Sequence, residues 1–197
     1  MNVTGGKLGG TGTVGGNTTI NSGAIHAPTA QVTGSHQTFS NSLTYSSGSI
    51  FEWDLSAGTV DTNGTAPDQG SYGQVLASGA SGAVSGSAIF RVVLGSSSSF
   101  ADAFWNTNKS WDNIFTGTGA PALLTSLFGT TFDASGGVAS NGTVAGQGQF
   151  SYSGTTLNWT AFTAVPEPTS ALAGLLLGAG LLRRSRQRVG TSGPACP

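Results

Sequence analysis

The chain has 197 residues, of which only 8% are charged, and a formal net charge of −1. With one cysteine, Cys196, it has no internal disulfide and no cysteine-built metal centre. Before residue 166 three cations, Lys7, Arg91 and Lys109, face seven acids, a balance of −4 with no basic face for phosphates, which argues against a nucleic-acid partner.

Ser, Thr, Asn and 32 Gly fill much of the remainder, a composition suited to short strands joined by tight turns, so the predicted class is all-β. The opening residues "MNVTGGKLGG" carry no basic start, apolar stretch or cleavage site of a signal peptide. They predict either a cytosolic protein or the downstream piece of a longer secreted chain. From there Leu8, Val14, Ile20 and Ile25 recur at gaps of six, six and five residues. A helix needs apolar positions three and four apart, so this period predicts short strands that stack on one another, although a turn-rich β-sandwich edge fits the same spacing. Gly10-Thr11-Gly12-Thr13-Val14-Gly15 matches G-x-G-x-x-G, but the Thr- and Gly-rich "NTTINSGA" that follows suits no helix, so the match reads as a by-product of the repeat.

His26 and His36 are the only histidines, without an acid or cysteine beside them, and are expected to be exposed loop residues. In "SIFEWDL" Phe51, Trp53 and Leu55 share one face of a strand, with Glu52 and Asp54 on the other, about 7 Å apart. Two carboxylates at that separation suit glycoside hydrolysis, yet a wetted sheet face explains them equally. Asp61, Asn63 and Asp68 have loop-ligand spacing, but Ala66 and Tyr72 stand where a calcium loop of the EF-hand type needs Gly and an acid.

Residues 88–95, "AIFRVVLG", predict an apolar strand with Arg91 at an edge. Phe104, Trp105, Trp111 and Phe115 are expected to cover one end of the strands, and residues 120–128, "APALLTSLF", form the best short helix before the tail. "GQFSYSGTTLNWTAF" predicts a hairpin turning at Ser153-Gly154-Thr155-Thr156, with Phe150 and Tyr152 opposite Leu157 and Trp159. Six Asn-x-Ser/Thr sequons, at Asn2, Asn17, Asn63, Asn108, Asn141 and Asn158, are what chance supplies in so polar a chain. No cofactor, metal site or catalytic residue is predicted.

The tail changes character. Pro166 and Pro168 break regular structure, and Ala171 to Leu182 holds only Ala, Leu and Gly. With Thr169 and Ser170 this makes 14 residues, about 21 Å as a helix, shorter than the ~20 residues a bilayer core usually takes. No polar face interrupts the run, and Arg183, Arg184, Arg186 and Arg188 follow at once, four of the seven cations. Such flanking predicts a single membrane helix, with Ala171, Leu172, Leu175, Leu176, Leu177, Leu181 and Leu182 in lipid and the arginines as its cytoplasmic anchor.

Two family resemblances attach to these residues. "GGKLGGTGTVGG" followed by "NTTINSGAIHAP" (residues 5–28) resembles the autotransporter-associated β-strand repeat, with its strand, "SGA" and "AP" turn, although Pro28-Thr29 stands where that family carries Pro-Gly. "LTYSSGSIFEWDL" (residues 43–55) resembles its next element. The resemblance implies a right-handed parallel β-helix, or solenoid-like body, over residues 1–60, with a β-rich continuation and capping region over 61–163. The second resemblance is to the PEP-CTERM sorting signal over 164–188: Val165-Pro166-Glu167-Pro168, an apolar run, then the arginine cluster. Members usually stop there, whereas this chain continues with "VGTSGPACP" (residues 189–197), expected to be a disordered tail. The resemblance implies export from a Gram-negative cell, passage through the inner membrane, and recognition by an exosortase-type membrane protease. The destination is the cell surface, outer membrane or extracellular matrix.

The expected function is a non-enzymatic adhesion, biofilm or exopolysaccharide-associated protein, whose partners are the exosortase, the bilayer and extracellular polysaccharide or like copies. Its rival is the C-terminal part of a β-helix polysaccharide lyase or hydrolase, catalytic upstream of Met1. An autotransporter passenger would need a C-terminal membrane barrel.

Overall fold

The computed structural model describes residues 1–28, 37–55, 72–77, 84–95, 99–112, 114–117 and 123–162. Met1–Phe162 forms one compact unit.

Three sheets build it. The first contains β1 (Asn2–Val3), β2 (Lys7–Gly10), β4 (Thr18–Ile20), β5 (Ile25–Pro28), β7 (Leu43–Leu55) and β9 (Val84–Leu94), in the order β1-β4-β7-β5-β2 with β9 beside β7. The second contains β3 (Gly12–Val14), β6 (Gln37–Phe39), β8 (Val75–Ala77) and β11 (Phe115–Gly117), in the order β11-β8-β6-β3. Every ladder in both is parallel. The third is antiparallel, ordered β10-β14-β13-β12, from β10 (Lys109–Trp111), β12 (Thr143–Val144), β13 (Gly148–Ser153) and β14 (Thr156–Ala161).

Leu8, Val14, Ile20 and Ile25 each fall in a separate short strand, as their spacing predicts. The expected right-handed parallel β-helix with a capping region is corrected to these three sheets. The spacing of partners is not that of a regular coil. Asn2 pairs with Thr19, Thr18 with Leu43 and Leu43 with Val84, so the separation grows from 17 to 25 to 41 residues. One long strand, β7, serves both files of short strands, pairing with β4 through Leu43–Tyr45 and with β5 through Ile50–Phe51. Beyond residue 109 the two-residue turn Gly154-Thr155, with Gly154 at φ +60°, sends the chain back antiparallel. There Phe150 faces Trp159 and Tyr152 faces Leu157, the predicted hairpin. The expected "AP" turn is also corrected, since Ala27 and Pro28 complete β5 and pair with Gly9 and Gly10.

The predicted single membrane helix has no counterpart among the described residues, where no helix is long and apolar enough to cross a membrane. Residues 171–182 lie outside the described residues. The helix expected within 120–128 is the short α1 (Leu124–Phe128), which buries Leu124, Leu127 and Phe128.

The core is aromatic. Phe51 packs against Phe90, Phe115 and Phe128 with ring centroids 4.9–5.6 Å apart. Trp53 meets Trp111 edge-on at 5.1 Å, and Trp105 meets Trp159 at 5.0 Å. The Trp159 indole N–H donates to the Trp105 carbonyl at 2.8 Å. A buried aromatic removes about 150–250 Å² from water. Strands this short, rich in Ser, Thr and Gly, depend on that contribution. Trp105, Trp111 and Phe115, expected to cover one end of the strands, are buried in this core, and Phe104 is partly buried against it.

Candidate functional site

Five of the eight charged side chains among the described residues, Lys7, Glu52, Asp54, Arg91 and Asp133, gather beside β7 and β9. Along β7 the side chains alternate, so Phe51, Trp53 and Leu55 enter the core while Glu52 and Asp54 turn the other way. The parallel register with β9 then sets Arg91 directly beside Glu52. Arg91 reaches Asp133, with Nε to Oδ2 at 2.7 Å and a second nitrogen at 2.5 Å, and approaches Glu52 Oε2 at 3.5 Å. Lys7, from β2, closes on the other Glu52 oxygen. The Glu52 side chain is only 12% exposed, while Lys7 is 55% exposed. Glu52 is therefore shared by two cations at the centre of a row, Lys7–Glu52–Arg91–Asp133.

Asp54 sits two residues along. Burial holds its carboxyl above the usual range, the Glu52 carboxylate raises it further, and Lys7 draws it back. The Glu52 carboxylate is taken up by Lys7 and Arg91, and the row ties β2, β7, β9 and the Asp133 segment together across a largely covered face. Arg91 is on the outer strand of its sheet, as predicted. Asp133 was not foreseen, because its partner is 42 residues away and nothing local to either residue signals the pairing.

His26 is corrected from an exposed loop residue to a fully buried one in β5. Its Nε2 faces the Gln37 side-chain oxygen at 2.6 Å and its Nδ1 faces the Tyr45 hydroxyl at 2.5 Å. The amide oxygen only accepts, so Nε2 carries the hydrogen and donates, while Nδ1 accepts from Tyr45. The rings of Phe39 and Phe51 stand edge-on to the imidazole. Burial pushes its pKa down to about 4, against the Gln37 hydrogen bond, which raises it. The ring is a neutral polar bridge between the first two sheets. Alternation within β5 does not show this, since Ile25 and Ala27 point to the other face; it is the register that sets His26 beside the buried Phe51 of β7 that turns the ring inward.

Gly10–Gly15 spans the end of β2 and all of β3 and leads into strand β4, without the helix a dinucleotide loop requires. Among the described residues no group of three or more His, Cys, Asp or Glu side chains is placed to hold a metal ion. Two sequon asparagines are engaged as acceptors, Asn108 by the Ala161 N–H and Asn141 by the Thr143 N–H. His36, Asp61, Asn63, Asp68 and the whole sorting stretch, Val165 to Arg188, lie outside the described residues.

Compared with protein-family models, curated proteins and solved structures, the chain matches none.

Proposed function

We propose that this is a non-enzymatic exported protein of the cell surface or extracellular matrix of a Gram-negative bacterium, acting in adhesion or with exopolysaccharide in a biofilm. The observation that carries this reading is the order of residues 165–188: Pro166-Glu167-Pro168, an uncharged run of Ala, Leu and Gly, then four arginines in six positions. Cations directly after an apolar stretch retain that end on the cytoplasmic side and leave the preceding body outside. Its resemblance to a PEP-CTERM signal adds an exosortase-type membrane protease as the processing partner. The low charge of the body supports the reading too, since Ser, Thr and Asn hydroxyls and amides suit neutral glycans or like copies better than ionic partners.

Fractionation of an exosortase-bearing host tests it. The intact gene product is expected in the outer-membrane, surface or matrix fraction, and a form lacking residues 164–188 is expected to lose that address. Equal distribution of both forms contradicts the proposal.

A further inference from the structure

The outer edge of β9 is only partly used. Gly95 donates its N–H to Leu55 of β7 at 3.1 Å, so odd-numbered residues in this part of β9 point their backbone groups at β7. Even-numbered residues point the other way. Phe90 shows this directly: its carbonyl accepts the Asp133 N–H at 2.8 Å, and it forms a parallel bridge with Phe132. The chain thus begins to pair along this edge at Phe132–Asp133 and then turns away through Ser135–Val138, where the Val138 N–H donates to the Ser135 carbonyl. The next two outward stations, Val92 and Leu94, have no strand beside them among the described residues.

They open into a groove of about 430 Å³. One wall is Ser135–Gly136, and the other is Ser99–Phe100. A Cβ added at Gly136, at φ +62°, would lie 3.5 Å from the Val92 carbonyl oxygen, so the loop leaves little room beside Val92 and the open station is centred on Leu94. The Phe100 wall is held firmly: its ring stacks on Trp159 at an interplanar angle of 16°, and Ser99 is pinned by its N–H to the Asp102 carboxylate at 2.7 Å. None of the residues lining the groove is charged. The nearby Asp102 carboxylate accepts the Ser99 N–H, and Asp133 is paired with Arg91.

We propose that this groove binds an extended, uncharged peptide segment, which adds as a strand to β9 at Leu94 and places one apolar side chain against Phe100. Backbone pairing along an edge, with a pocket for alternate side chains, is how strand addition obtains affinity and selectivity. The mode is already in use two stations earlier, at Phe90. A neutral lining favours a neutral segment over a charged one. The proposal is independent of where the protein is delivered.

Amide NMR of the full chain tests it, with acetyl-Thr-Val-Ser-Val-Thr-amide as probe, its backbone N-methylated form as control and cellohexaose as a separate arm. The expected result is saturable shifts of the Leu94, Ser99 and Phe100 amides with the peptide and none with the N-methylated form. In Leu94→Pro, which loses the outward-pointing N–H together with the packing of the Leu94 side chain against the core, peptide affinity falls by at least about tenfold while the circular dichroism spectrum keeps its β-sheet form. Should that variant not fold, the comparison of the two peptides still decides. Unmoved amides at Leu94, equal binding of the N-methylated peptide, or shifts caused only by cellohexaose overturn the proposal.

Discussion

His26 and Tyr152 show how single buried polar groups set the stability of so uncharged a body. The unfolded chain protonates His26 near its ordinary value of 6.5, whereas the folded one holds it neutral down to about 4. Between those values the unfolded state carries the extra proton, so stability is complete above pH 6.5, falls as pH drops through the window, and levels below pH 4. From pH 7 to 4.5 the loss from this residue is about 2–3 kcal/mol. Asp54, whose carboxyl is raised, works in the opposite sense, since the folded state gains its proton first. The His26→Gln variant isolates the histidine. Urea midpoints measured at both pH values should differ markedly less in the variant than in the parent protein, and an equal difference would contradict the assignment. Tyr152 is the converse case. Its hydroxyl is buried without a hydrogen-bond partner among the described residues, and burial pushes the phenol far above its ordinary value. Removing an unsatisfied hydroxyl while keeping the ring recovers its desolvation cost, so Tyr152→Phe should stabilise by about 1 kcal/mol, visible as a rise in Tm.

At the scale of the elements, β7 and β9 organise everything else, and a glycine decides how closely they approach. Their ladder is interrupted between Tyr45 and Ser49, where β7 carries extra residues and Gly48 adopts φ +81°. Opposite Tyr45 stands Gly86 at φ +102°, and a Cβ there would lie 1.9 Å from the Tyr45 carbonyl oxygen. Gly86→Ala should therefore prevent folding or cost at least about 4 kcal/mol. Gly154→Ala, at a turn with φ +60° and open space around it, should cost only about 1–2 kcal/mol. Equilibrium denaturation of the pair checks the contrast, and similar losses would show that the close approach is not what constrains β9.

Much at this scale was legible. The six-residue spacing located β2 to β5 individually, alternation gave the two faces of β7, and Ser153–Thr156 gave the hairpin with its facing pairs. What was not legible is long-range. The single strand β7 shared by two files, the growing separation of partners and the Arg91–Asp133 pair are set by packing between segments 40 or so residues apart, which leave no periodic trace in the sequence. The resemblance to a repeat family therefore suggested a regular coil where the ladders form three sheets. His26 was misplaced for a related reason: it was read as exposed because it is polar, and the register that sets it beside the buried Phe51 of β7 is not visible in its own segment. A buried polar group is acceptable where partners satisfy it, and those partners, Gln37 and Tyr45, come from two other strands.

For the whole molecule, the division of charge is the decisive feature. Four of seven cations follow the apolar run near the C-terminus, while the body before residue 166 carries a balance of −4. Under the proposed function, arginines placed there serve to orient the chain at a bilayer. The charges within the described body are used differently, with Lys7, Glu52, Arg91 and Asp133 spent on joining strands. The central claim is that residues 164–188 are an export address that is read and processed at the membrane. Mass spectrometry of the mature C-terminus, on protein recovered from an exosortase-bearing host, tests it most directly. The account predicts a chain that ends close to Pro166-Glu167-Pro168 and lacks all four arginines. Protein recovered intact through Arg188 from the cytosol would contradict it.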